Sequence, residues 1–324
     1  MPYSGPGPLT LASLLGSTTA DPAGLALVGL GAGAYGAGLR RARRAVGGAS
    51  WPLARSVSVT VGLLALLELT CGAVAGYAPV LMWVWTLRVI LLLTVVPVLL
   101  AYGRPVLLAR DALGPGVERV ARSAPVRVMT SLVVAPLLLP VALGVTFFTG
   151  VMAAALRQGA VRGLLEVVLL AVGLLLAVGL VGDGLVEEAP TTLALAAFVG
   201  FVELFIDFVP GLVLRLRTHV LAPDWWLAVH RPWGPQPPAD QRLGGAILWF
   251  VAEIADLPFL VIVVRRWLRA DEHEAAAVDR ALDEAEVIAA AEAAAASEEA
   301  PLARPWWETD PGRLGVDRSA KYRA

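Results

Sequence analysis

Two carboxylates four residues apart, Glu203 and Asp207, and two three apart, Glu253 and Asp256, each lie inside a run of apolar residues. Those spacings put both members of a pair on one face of a helix, so each pair is expected to turn toward a shared interior. Glu68, Arg88 and Glu166 sit in similar runs, and Arg88 is the one basic residue well inside any of them. A charge at mid-bilayer costs about 2.5 to 3.5 kcal/mol or more on insertion scales, so such groups pair with one another or line a wet path. Arg88 should therefore meet one or more of the carboxylates. Two chemistries fit these seven residues. One is an ion-pair network that fixes helix register; the other is a polar cavity that handles an ion, a proton or a metal.

A second group stands at the mouth of the last apolar run, where residues 238–249 read PADQRLGGAILW. Asp240, just before that run, is placed to cap its helix, and Gln241 can bond to the preceding loop or to neighbouring spans. Gly244 and Gly245 permit close backbone contact. The preceding loop, residues 215–242, carries Trp225, Trp226, Trp233, His219, His230 and Asp224. It reads either as an interfacial aromatic belt or as a lid over an outward-facing site. His219 and His230, with Asp224 or Asp240, are weak candidates for a metal site, since imidazole suits copper. Met82 and Met152 carry thioethers that suit Cu(I), but methionines at such positions more often fill gaps in a core.

The elements that must hold these groups are membrane helices. The chain is 57% hydrophobic and 16% charged, with a mean hydropathy of +0.71. A water-soluble domain of 324 residues cannot hide that much apolar surface in one core. Apolar runs occupy residues 22–39, 57–76, 80–101, 127–151, 163–184, 190–214 and 243–264, against the roughly 20 residues a spanning helix needs. The expected fold is an all-α, polytopic membrane bundle of about seven helices. Residues 1–21 form a short outer segment, 22–264 the membrane domain, and 265–324 a cytoplasmic helical tail whose Ala-rich, charged composition marks a solvated helix. Trp306 and Trp307 lie in an irregular stretch at its end.

Orientation follows from arginine placement. With the N-terminus outside, the inner loops hold Arg40, Arg41, Arg43, Arg44, Arg55, Arg104, Arg110, Arg119, Arg122, Arg127, Arg265, Arg266 and Arg269. The outer loops hold only Arg157, Arg162, Arg215, Arg217, Arg231 and Arg242. The positive-inside rule then favours N-out and C-in. No basic residue precedes Arg40, so a cleaved signal peptide is not expected. A net charge of −1 gives no field to recruit nucleic acid. Cys71 alone makes neither an intrachain disulfide nor a multi-thiolate zinc site, and in its apolar run it reads as a packing residue. Phosphate-cradling GxxxxGK[ST], HExxH, CxxC and GxSxG motifs are all absent, and Gly29, Gly31 and Gly33 lack the preceding strand of a dinucleotide site. No catalytic residues are assigned, and an enzyme is not expected.

The segment PADQRLGGAILWFVAE, Pro238 to Glu253, resembles the C-terminal signature of the CtaG family of cytochrome c oxidase assembly membrane proteins. The run LLLTVVPVLLAYGRPVLLARDAL, Leu91 to Leu113, is similar to the family's third span and following loop, with Pro97, Gly103, Pro105 and Val106 in matching places. Tail elements RRWLRADEHEA and RPWWETDP are also similar. The resemblance implies a seven-helix protein that helps assemble the copper-containing terminal oxidase by handling copper on the outer side, with oxidase subunits as partners. It assigns structural or binding roles to Asp240, Gln241, Gly244, Gly245, Trp249 and Glu253. Family members carry a histidine pair spaced by four in the third span and another histidine early in the fifth. The corresponding positions here are Trp85, Val89 and Glu166. Neither indole nor valine offers an sp² nitrogen lone pair to a metal, so no cofactor is assigned and copper rests on resemblance alone. The competing reading from the charged residues is a transporter whose polar path includes Glu68, Arg88, Glu166, Glu203 and Asp207.

Overall fold

Leu-, Val- and Ala-rich runs become helices throughout the computed structural model, which describes residues 3–45, 51–114, 116–121, 123–131, 134–181 and 190–299; no strand occurs among them. In chain order the first helices are α1 (Leu11–Gly16), α2 (Pro22–Ala45), α3 (Leu53–Cys71), α4 (Ala73–Tyr77) and α5 (Met82–Leu93). Then come α6 (Val95–Tyr102), α7 (Pro105–Leu113), α8 (Gly116–Ala121), α9 (Ala124–Met129) and α10 (Val134–Phe148). The last are α11 (Val151–Arg157), α12 (Gly159–Val181), α13 (Pro190–Leu216), α14 (Pro223–Trp226) and α15 (Pro237–Glu299). The Asp256 side chain, the connection around Glu187 and Glu188, and the tail residues Trp306 and Trp307 lie outside the described residues.

Five helical stretches are long and apolar enough to cross a membrane: Pro22–Ala42, Leu53–Tyr77, Met82–Tyr102, Gly159–Val178 and Thr192–Leu216. A sixth is the pair Leu137–Phe148 and Val151–Arg157, if its 63° bend falls within one span. With the apolar start of α15, this is close to the seven expected. The stretch from Met82 to Tyr102 is the centre of the bundle, 67% buried against 6% for Pro22–Ala42. Around it the core gathers Leu66, Leu69, Ile90, Leu93, Leu143, Phe147, Leu169 and Leu248.

Three expected spans are broken, each for a local reason. The second divides at Gly72, where the Glu68 carboxylate accepts the Val74 amide at 3.2 Å and so serves the start of α4. Glu68 is exposed and does not face the bundle interior, which corrects the expectation that all the in-span charges turn inward. The third divides at Thr94. Pro97 lacks an amide hydrogen, and its ring crowds the carbonyl four residues back, that of Leu93. Gly173 of α12 receives that carbonyl: a Cβ there would stand 2.1 Å from Leu93 O. The fourth run, 127–151, is not one helix but parts of α9 and α10, ending where Thr149 turns its hydroxyl back to Val145 O at 2.6 Å and Gly150 caps α11.

Met1–Leu268 form one compact unit and residues from Arg269 a second. The described part of the second unit is the last portion of α15, whose described side chains from Asp271 onward are all exposed, as its Ala, Glu and Asp content requires.

Candidate functional site

The residue at the cap of helix α5 is Leu81, whose side chain cannot accept from the helix's first amides. Asp240 does so from another helix. One carboxylate oxygen accepts the Met82 amide at 3.0 Å and the other the Trp83 amide at 3.1 Å, across more than 150 residues of sequence. This corrects the expectation that Asp240 caps its own helix: α15 already begins at Pro237, and Asp240 stands in its first turn. Arg231 closes the arrangement, donating to Asp240 Oδ2 at 2.7 Å, to Val80 O at 3.0 Å and to Trp233 O at 2.8 Å. Burial pushes the Asp240 carboxyl above its ordinary value, while the Met82 and Trp83 amides and Arg231 pull it back down.

Gln241 fastens the loop from the other side. Its side-chain oxygen accepts the Leu221 amide at 2.7 Å, and its nitrogen donates to Leu214 O and His219 O, both at 3.2 Å. Trp225 donates from its indole to Pro79 O at 2.8 Å. The 215–242 loop is thus tied to the start of α5 and held there with two non-glycine residues, Ala222 and His230, at positive φ. Gly244 and Gly245 then let α15 pass between two neighbours. A Cβ on Gly244 would lie 2.9 Å from Thr86 Oγ1 of α5, and one on Gly245 would lie 2.6 Å from the Gly211 carbonyl of α13. One turn on, the Trp249 indole donates to Glu253 and packs at 5.7 Å from the Phe208 ring.

Because Asp240 fixes where α5 starts, it also fixes the height of Trp85, Arg88 and Val89, one to two turns along the same helix. These three line a small cavity against α12 with Leu92, Arg162, Leu165, Glu166 and Leu169. Arg88 donates to Glu166 Oε1 at 2.5 Å and to the Leu69 carbonyl at 2.6 Å. Both members of the pair are buried. Arg162, one helical turn before Glu166, reaches Asp21 at 3.3 Å and Glu166 at 4.0 Å. Asp21 also accepts the Ala23 amide at 3.0 Å, starting α2. The result is a chain of alternating charges, Asp21, Arg162, Glu166 and Arg88, in which each guanidinium meets a carboxylate.

The other expected residues lie elsewhere. Glu203 and Asp207 are buried on one face of α13, while Arg88 is engaged by Glu166 and Leu69. Glu253 meets Trp249, not Arg88. His219 and His230 are exposed, and among the described residues no three His, Cys, Asp or Glu side chains gather as a metal would require. Met82 and Met152 are core residues. Reading the sequence missed three members of the site. Arg162 could have been found from its i,i+4 spacing to Glu166 and Asp21 from its place before Pro22, but nothing in the sequence marks Arg231 as the partner of Asp240.

Comparison with known proteins adds a family and several relatives. Residues 33–270 match the family model described as cytochrome c oxidase caa3 assembly factor. An uncharacterized protein of Mycobacterium leprae is 29% identical over 284 residues, covering 84% of this chain and 41% of that protein. Uncharacterized proteins of Mycobacterium bovis and Mycobacterium tuberculosis are each 28% identical over 295 residues, covering 87% of this chain and 44% of theirs. The chain therefore spans less than half the length of the curated relatives it matches. No solved structure matches it.

Proposed function

The chain belongs to the cytochrome c oxidase caa3 assembly factor family, the CtaG type, and from that premise we propose that it acts as a membrane-embedded, non-catalytic scaffold in assembly of a respiratory terminal oxidase. Its partners on this reading are the lipid bilayer and oxidase subunits. It sits multi-pass in the bacterial plasma membrane with the 215–242 loop outside and the tail in the cytoplasm.

The observation that carries the reading is the convergence of Trp85, Val89 and Glu166 on one cavity. These are the positions at which the resemblance places histidines. Here the cavity walls carry an indole, an isopropyl group and a carboxylate already bound to Arg88. That set does not fit copper. An indole N–H is a donor only, valine has no donor atom, and two guanidinium groups at the wall oppose a cation. The scaffold role therefore runs through packing and surface contact, and the charge chain holds the helices that the family's ligands would otherwise tie together.

Two measurements test it. Deleting the gene should lower the assembled terminal oxidase in reduced-minus-oxidised membrane spectra and in oxidase activity, with recovery on re-expression. Unchanged spectra and activity would refute the assembly role. The purified protein should bind Cu(I) weakly or not at all under a competing chelator, whereas tight stoichiometric binding would return copper handling to this chain.

A further inference from the structure

The part of α15 in the second unit carries three large apolar side chains in the open on one side: Val278 is 52% exposed, Leu282 63% and Ile288 58%. With Ala281, Ala285 and Ala289 they recur at intervals of three and four, so they share one face of the helix over about three turns. Helix formation does not account for them. Alanine, which fills much of this stretch, is the best helix former, and the branched side chains of Val278 and Ile288 weaken a helix relative to it. A contiguous apolar face left in water marks an interaction surface, whereas a lone apolar residue does not. Val287 is such a lone residue: it lies about two and a half turns from Val278, on the opposite side, with Arg280, Asp283 and Glu284 around it.

Carboxylates ring the face. Glu274 stands four residues before Val278 and Glu292 four after Ile288, while Asp279 and Glu286 run along one edge and Glu284 along the other. From Asp271 to Glu292 eight carboxylates are opposed by a single arginine, Arg280, which donates to Ala276 O of its own helix at 3.0 Å. That charge selects the occupant. An amphipathic helix that lies on a bilayer presents Lys and Arg to anionic headgroups, and this one presents the wrong sign. Nucleic acid is repelled in the same way. A second copy of the chain would bring acidic edges together whether the helices ran parallel or antiparallel, which is destabilising. What remains complementary is an apolar helix face edged by Lys or Arg.

We propose that residues 274–292 of α15 are a docking surface for a basic amphipathic helix of a partner protein. Its apolar side packs on Val278, Leu282 and Ile288, and its Lys or Arg side chains meet the surrounding carboxylates. The charges steer and select the partner, and the apolar face holds it. The surface stands whether or not the chain assembles an oxidase.

The test uses the full chain in nanodiscs of phosphatidylcholine, whose net neutral surface does not attract a basic probe. The probe is a fluorescent synthetic helix of about 21 residues, three heptads, with Leu on one face and Lys along its edges, read by anisotropy. One control peptide has Glu in place of Lys, and another has the probe's residues in scrambled order. The Lys peptide should bind, less tightly as salt rises, while the Glu peptide does not and the scrambled one is weaker by about tenfold or more. Leu282→Gln should weaken binding by about tenfold, and Val287→Gln, an equally exposed change on the opposite side, should leave it unaltered. Reversing the edge with Asp279→Lys and Glu286→Lys should shift preference to the Glu peptide. No binding of the Lys peptide, equal binding of the scrambled one, or equal losses at positions 282 and 287 overturns the proposal. So does a dimer of the chain that Leu282→Gln dissociates, because the occupant is then a second copy.

Discussion

Arg88 and Glu166 show how a pair of charges can be affordable inside a bundle and still be fragile. Each was visible in the sequence as a charge in an apolar run, and the requirement that Arg88 find a carboxylate followed from bilayer physics. Which carboxylate it finds did not, because Glu166, Glu203 and Glu253 lie on three different helices and only packing brings one of them to α5. Removing one partner of a buried pair leaves the other charge unpaired at a cost of about 3–5 kcal/mol, while replacing both by apolar groups of similar volume is often neutral. Arg88→Met and Glu166→Leu should therefore each lower stability in detergent micelles by about that amount, and the double variant should be more stable than either single. Additive losses in a double-mutant cycle of unfolding midpoints would show that the two side chains do not act as a pair.

Helix existence was legible from hydropathy, but helix continuity was not. A sliding average passes over Gly72, Thr94 and Gly150 because each is flanked by apolar residues, although Pro97 already marked the break at Thr94 by the carbonyl it displaces. The crossing of α15 over α13 was legible only as a pair of glycines. Their roles differ once the neighbours are known. A methyl on Gly245 meets backbone of α13, with Gly211 O at 2.6 Å and Arg215 N at 2.7 Å, and backbone cannot step aside without moving the helix. A methyl on Gly244 first meets Thr86 Oγ1 at 2.9 Å, the end of a side chain. Overpacking of this kind costs about 1–3 kcal/mol. Gly245→Ala is expected at the upper end of that range and Gly244→Ala at or below the lower, as read by thermal unfolding in micelles. Equal losses would mean that α15 does not cross α13 at Gly245.

At the scale of the whole membrane unit, α5 and α6 relate the two ends of the molecule. The stretch from Met82 to Tyr102 places the Asp240 and Arg231 clamp at one end and Arg104 at the other, some 30 Å apart at about 1.5 Å per residue. Arg104 lies in the field of Arg55 and Arg266, so three of the basic residues counted for the inner face do gather at the end opposite the clamp. Of the six arginines counted for the outer face, Arg157, Arg162 and Arg231 are each matched to a carboxylate: Asp224, Asp21 and Asp240. On the positive-inside rule this gathering predicts that the Arg104 end lies inside and the 215–242 loop outside. Cysteine labelling reads this directly, since Cys71 is the single thiol and is buried. In a Cys71→Ala background, Asp224→Cys, whose position has 83% side-chain exposure, should react with a membrane-impermeant maleimide in intact cells. Asp279→Cys, on the exposed tail helix, should react only after lysis. The reverse pattern would invert the molecule in the membrane and move the Asp240 clamp to the cytoplasmic side.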